Sequence, residues 1–159
     1  MTEALRIVAA APQHAAAVAA LWRDSIVLCC AADHRGEQAV LAGWLANKTP
    51  EHLASAFAQP DLCWRVALDA VGAPLGIGLL GPAGEVRALY VAPSRMRRGV
   101  GARLLAEMES IARAQGARRL TLDSTATAHA FYRAQGFCDC GAPQPCCGVL
   151  AQPMVKTLE

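Results

Sequence analysis

The chain has 159 residues and a formal charge of +2, with 18% charged, 54% hydrophobic and 5% aromatic residues. At this length we expect one domain covering residues 1–159, burying roughly 70% of the surface its unfolded form exposes, with no need of a disulfide or metal staple. So small a net charge gives no argument for nucleic acid or an anionic membrane as the main partner, and neither is expected. Much of the hydrophobic content is alanine, which favours helices and an aliphatic core.

The chain order opens with a short strand at 5–9, followed by Pro12 in the first turn of a helix running to about Cys30. Residues 31–36, with Asp33, His34 and Arg35, break the pattern, and a second helical region covers 37–46. Thr49-Pro50-Glu51 reads as an N-cap, a first-turn proline and an acid complementing the helix dipole, starting a helix to about Ala58. From Leu62 the period changes to that of strands, at 62–69, 75–80 and 85–92, joined by turns at Gly72 and Pro74 and at residues 81–84. Pro93 ends the third strand.

Arg97-Arg98-Gly99-Val100-Gly101-Ala102 then joins that strand to an amphipathic helix whose apolar stripe is Val100, Leu104, Leu105, Met108, Ile111 and Ala112. Alternate glycines let backbone N–H groups approach an anion, and the helix aims its positive dipole end at the same point, so the junction reads as a diphosphate cradle. Arg95, Arg97, Arg98 and Arg103 bunch around it. A strand at 120–123 and a short helix ending at Gln135 follow, with Gly136 as its stop and Phe137 folding back on Phe131 or Tyr132 in a Schellman closure. Two strands, near 137–140 and 154–158, finish the chain, and the apolar second one suits pairing across a homodimer. The order gives a mixed sheet with helices on its faces and a ligand crevice at the crossovers near Gly99 and Thr127.

The apolar stretches 15–21 and 26–32 are each too short to cross a bilayer and are separated by Arg23 and Asp24. Glu3 before any lysine, and Arg6 inside the apolar start, do not make a secretion signal. Seven cysteines, an odd number, argue against a secreted disulfide scaffold. The expectation is a cytoplasmic protein with reduced thiols. Cys138, Cys140, Cys146 and Cys147 fit no common zinc spacing and read as small apolar fillers, as does Cys29-Cys30, so no metal is expected.

The run Leu89-Tyr90-Val91-Ala92-Pro93, then Arg97-Arg98-Gly99-Val100-Gly101 with Leu104-Leu105, then Phe131-Tyr132 and Gly136-Phe137, resembles the GNAT superfamily of N-acetyltransferases. That resemblance implies an α/β fold with a central mixed, mostly antiparallel sheet of about six to seven strands flanked by about four helices. It implies transfer of an acetyl group from acetyl-CoA to a primary amine of a small molecule or peptide, by direct attack in a ternary complex. It further implies that the backbone amides of Arg97, Arg98, Gly99, Val100, Gly101 and Ala102 hold the pyrophosphate, and that the edge of Leu89, Tyr90 and Val91 pairs with the pantetheine arm. Met96 stands where the family usually has Gln or Arg, and Thr125 where it often has an Asn that contacts CoA. The other reading of the same motifs is a non-catalytic acyl-CoA sensor or regulatory module.

An alkylamine of pKa ~10.4 is more than 99.9% protonated at pH 7, so direct attack needs a proton acceptor. Glu85, at the entry of the central strand, is the candidate base, directly or through water, against a plain solvated strand-end carboxylate. Tyr132 resembles the family's general acid, which meets the departing thiolate. Full transfer from an unperturbed phenol to a thiolate is uphill by roughly 2 kcal/mol, so hydrogen-bond donation comes first. His129 shares a helix face with Tyr132 and reads as a surface histidine before a functional one. Asp33, His34 and Arg35 read as a solvated loop before a substrate pocket, and Trp22, Trp44 and Trp64 as packing.

Overall fold

The computed structural model describes residues 4–146 and 148–159, so Glu3 and Cys147 lie outside it. Strands β1 (Arg6–Ala9), β2 (Cys63–Leu68), β3 (Pro74–Leu80) and β4 (Val86–Val91) form an antiparallel sheet in chain order. A second antiparallel sheet has β8 (Val149–Thr157) between β5 (Arg119–Ser124) and β6 (Cys138–Asp139), with β7 (Gln144–Cys146) also on β8. The two sheets meet at one parallel bridge, Glu85↔Thr121. Gly84 makes that joint possible: its φ is +80°, and a Cβ there would overlap the carbonyl oxygen of Arg119. Beyond the bridge no ladder joins β4 to β5 among the described residues.

Helices α1 (Ala15–Cys29), α2 (Ala31–His34), α3 (Gln38–Leu45) and α4 (Pro50–Phe57) follow β1. They bury Trp22, Ile26, Trp44 and Leu53 against Trp64, Val66 and Ile77 of the first sheet. Thr49 caps α4 as expected, its hydroxyl accepting from the His52 N–H at 3.2 Å. Helix α5 (Val100–Ala114) presents the expected stripe, with Leu104, Leu105 and Met108 at most 1% exposed. Each such side chain contributes about 1.5–3 kcal/mol by leaving water. Helix α6 (His129–Ala134) ends in the expected Schellman motif. Phe137 N–H donates to the Tyr132 carbonyl at 3.0 Å, Gly136 N–H to that of Arg133 at 3.1 Å, and the Tyr132 and Phe137 rings lie 5.5 Å apart.

Three expectations change. Residues 31–34 form α2 rather than a plain break, because His34 is buried, its Nε2 donating to the Ile26 carbonyl at 3.0 Å and its Nδ1 accepting from the Gly36 N–H at 2.9 Å. The crossover through α6 does not pair β5 with β6: β8 is inserted between them, antiparallel to both. The tail therefore holds three strands, eight in all, and the apolar strand expected to pair across a dimer is paired on both sides within its own chain. Trp22, Trp44 and Trp64 are core residues, 5%, 5% and 6% exposed, as their packing reading required. No helix among the described residues is long and apolar enough to cross a membrane.

Candidate active site

The splay between the sheets produces the site. From Val86 to Tyr90 the edge of β4 faces Leu122 and Asp123 of β5 across a cleft of about 50 Å³, into which Thr125, Ala128 and Tyr132 also project. An unpaired strand edge offers a row of N–H and C=O groups to any extended ligand carrying amides. Leu80 pairs with Val86 while Leu79 pairs with Ala88, so Arg87 is the extra residue of a β-bulge in this wall. A bulge tilts the backbone groups beside it out of the ladder direction. Leu89, Tyr90 and the bulge were thus brought to one surface; the bulge itself had no sequence signal.

At the end of β4 the chain makes a 3-10 turn, Pro93–Arg95, and enters α5 through two left-handed residues, Arg97 with φ +62° and Gly99 with φ +84°. Gly99 is the N-cap, and no side chain caps the helix. The first amides of α5, those of Val100, Gly101 and Ala102, therefore have no intrahelical acceptor and point out of the helix end. The dipole adds only about 0.3–1 kcal/mol for an anion there, so hydrogen bonds must supply the rest. Arg97 and Arg98 are exposed and have no carboxylate partner among the described residues. Gly101 has a packing role as well: a Cβ there would stand 3.3 Å from Cζ of Phe131 and 3.6 Å from Cγ2 of Val91. Its bareness lets α6 and the end of β4 close on the start of α5, placing the loop beside the cleft, although residues 97–102 line neither cavity.

Tyr132 is 6% exposed and packed between Phe131, 5.2 Å away, and Phe137. Burial pushes its phenol well above the ordinary range, as it does that of Tyr90, so both stay protonated donors at any physiological pH. Thr125 spans two cavities: its hydroxyl oxygen accepts from the Ala128 N–H at 3.2 Å, and the side chain lines both the cleft and a larger cavity of about 580 Å³. Glu85 stands at the sheet joint, exposed, its carboxylate accepting from Arg87 at 3.1 Å, and lines neither cavity.

The larger cavity lies between α2, the β5–α6 turn and the β7–β8 segment, with Asp33, His34, Arg35, Glu37, His129 and Asp139 among its walls. Asp33 proves to be a brace: its carboxylate accepts from the Ala126 N–H at 2.7 Å, the Thr127 N–H at 3.2 Å and the Thr127 hydroxyl, fixing the turn into α6. His34 is held by the backbone bonds given above, which leaves Arg35, exposed and left-handed at φ +54°, as the member of the trio facing outward. Nothing local in the chain marks Asp33 as the partner of Ala126, 93 residues further on. Cys138, Cys140 and Cys146 are exposed, and among the described residues no three potential metal ligands gather.

A mixed α/β protein with a helix-start anion cradle beside a splayed strand edge and a buried tyrosine is the class these features define. Residues 30–158 match the acetyltransferase (GNAT) domain family. A GCN5-related N-acetyltransferase of Rhodopseudomonas palustris superposes with a TM-score of 0.84 and 28% identity, over 99% of this chain and 97% of that one. An N-acetyltransferase of Thermoplasma acidophilum, solved with coenzyme A, shares the fold with a TM-score of 0.83 at 18% identity, over 98% and 99% of the two chains. An IAA acetyltransferase of Azospirillum brasilense is 38% identical over 92 residues, 53% of this chain and 60% of that protein, so the match spans less than two thirds of the relative's length. The chain belongs to the GNAT acetyltransferase family.

Proposed function

We propose that the protein is an acetyl-CoA-dependent N-acetyltransferase acting on a primary amine of a small molecule or peptide, by direct attack in a ternary complex. The observation that carries this is the unpaired β4 edge facing Tyr132, continuous with the uncapped start of α5. The fit of the chain to the cosubstrate is chemical. Backbone amides of Val100, Gly101 and Ala102, with those of Arg97, Arg98 and Gly99 and the guanidiniums of Arg97 and Arg98, suit a pyrophosphate. The β4 edge at Leu89, Tyr90 and Val91 suits the amides of a pantetheine arm, and Thr125 can donate to it. Acetyl-CoA supplies the activated acyl group; no metal is required.

Tyr132 acts on the leaving sulfur. Its neutral phenol donates a hydrogen bond where thiolate charge develops, and the low exposure of the ring strengthens that bond. Two groups are candidates to receive the amine's proton: Glu85 through water, and the His129–Asp139 pair on the wall of the larger cavity. We assign the reaction to the cytoplasm, a compartment whose reducing conditions suit a chain with an odd number of cysteines. The test is release of free CoA from acetyl-CoA with a panel of amines. Tight acetyl-CoA binding with no turnover on any amine would favour the sensor reading instead.

A further inference from the structure

We propose that His129, oriented by Asp139, is the group that takes the proton from the acceptor ammonium; this rests on the acetyltransferase reading above. His129 Nε2 lies 2.7 Å from Oδ1 of Asp139, two chain segments apart, one on the first turn of α6 and the other on β6. A carboxylate only accepts, so Nε2 carries the hydrogen and Nδ1 of the neutral ring keeps its lone pair. Both side chains line the 580 Å³ cavity. Thr125 lines both that cavity and the thioester cleft, and α6 puts His129 one turn before Tyr132 on the same face. One short helix thus carries a proton acceptor at the amine's cavity and a proton donor at the thiolate's.

The charges around the imidazole favour a cationic guest. Asp33, Glu37 and Asp139 face the cavity against the single guanidinium of Arg35, with Arg133 one turn further along α6. Glu85 shares none of this: it lies outside the cavity and is already paired with Arg87.

An N–H bond of the ammonium breaks and its proton forms a bond to Nδ1 of His129, whose Nε2–H stays on Asp139. The freed nitrogen lone pair forms the C–N bond at the acyl carbon, the C–S bond breaks, and its electron pair leaves on sulfur. A second N–H proton ends on that sulfur by way of the Tyr132 hydroxyl. The proton on His129 passes to solvent, to which its side chain is 33% exposed.

The experiment compares native protein, His129→Gln, Asp139→Asn and Glu85→Gln with two acceptors from the panel. One is a primary alkylammonium; the other is an aromatic hydrazine, neutral at the assay pH. His129→Gln should lower kcat/KM for the alkylamine about 10²-fold or more, while the hydrazine changes by less than about threefold. Independently of turnover, nitrogen NMR of the native protein should show His129 as the Nε2–H tautomer, and Asp139→Asn should lose that preference. Equal losses on both amines, full activity of His129→Gln, or a loss confined to Glu85→Gln would overturn the assignment while leaving the acetyltransferase intact. Failure of the native protein to turn over any amine would overturn both.

Discussion

Replacing Gly84 with alanine should open the joint between the sheets. The substitution forces an L side chain to φ +80°, which costs about 1–2 kcal/mol. It also drives Cβ into the Arg119 carbonyl oxygen, backbone that cannot rotate aside, and displacing β5 adds about 1–3 kcal/mol. Gly116→Ala supplies the control, because its φ is +85° but nothing lies within 4 Å of the new Cβ. A loss of about 3 kcal/mol lowers Tm by about 6–12 °C in a chain this long, against about 2–8 °C for the 1–2 kcal/mol of the control. Calorimetry with urea titration reads both. Because the Glu85↔Thr121 bridge sits beside Gly84, Gly84→Ala should also weaken CoA binding where Gly116→Ala does not. Equal Tm shifts for the two variants would refute the claim that close approach, and not φ alone, is what the joint demands of Gly84.

Tyr132→Phe should cut kcat about 10²-fold with the KM for acetyl-CoA within about threefold; a kcat loss under twofold in steady-state kinetics would remove Tyr132 from the chemistry. Asp33→Ala should cost about 2 kcal/mol, because two backbone N–H groups and the Thr127 hydroxyl lose their acceptor, and hydrogen exchange at Ala126 and Thr127 should accelerate. Burial pushes the Cys30 thiol up from 9.0 to about 12, with Asp33 and Cys29 adding to the effect. The unfolded thiol ionises first, so its contribution to stability is present below about pH 9 and is lost as pH rises towards 12. Cys30→Ala should flatten the fall in urea midpoint between pH 8 and 10, and an unchanged slope would sink that account.

What the sequence disclosed was local. The α5 stripe, the Thr49 cap and the Gly136-Phe137 closure each follow from residues within one or two turns of each other, and the structure shows all three. The Gly99–Gly101 junction was legible because glycine spacing and helix start fall together. What stayed hidden depends on partners far apart in the chain. The Asp33 brace on residues 126 and 127, the meeting of His129 with Asp139 and the passage of β8 between β5 and β6 leave no periodic trace. Glu85 shows the same limit from the other side: its position on the strand was readable, but its exposure and its pairing with Arg87 depend on the bulge and the sheet joint.

The position of β8 governs how the molecule can be assembled. The first sheet is complete once Val91 has been made, with each strand laid against the one before it. The second sheet has no such order. As the growing chain leaves the ribosome, β5, α6 and β6 emerge with an empty lane between the two strands, and the lane is filled only when Val149–Thr157 arrives. Until then Leu120 and Phe137 lack Met154, the buried neighbour that β8 brings to their cluster. The half of the protein that holds Tyr132 and His129 is thus the later one to close, exposed to misassociation longest and completed by a strand synthesised after both residues.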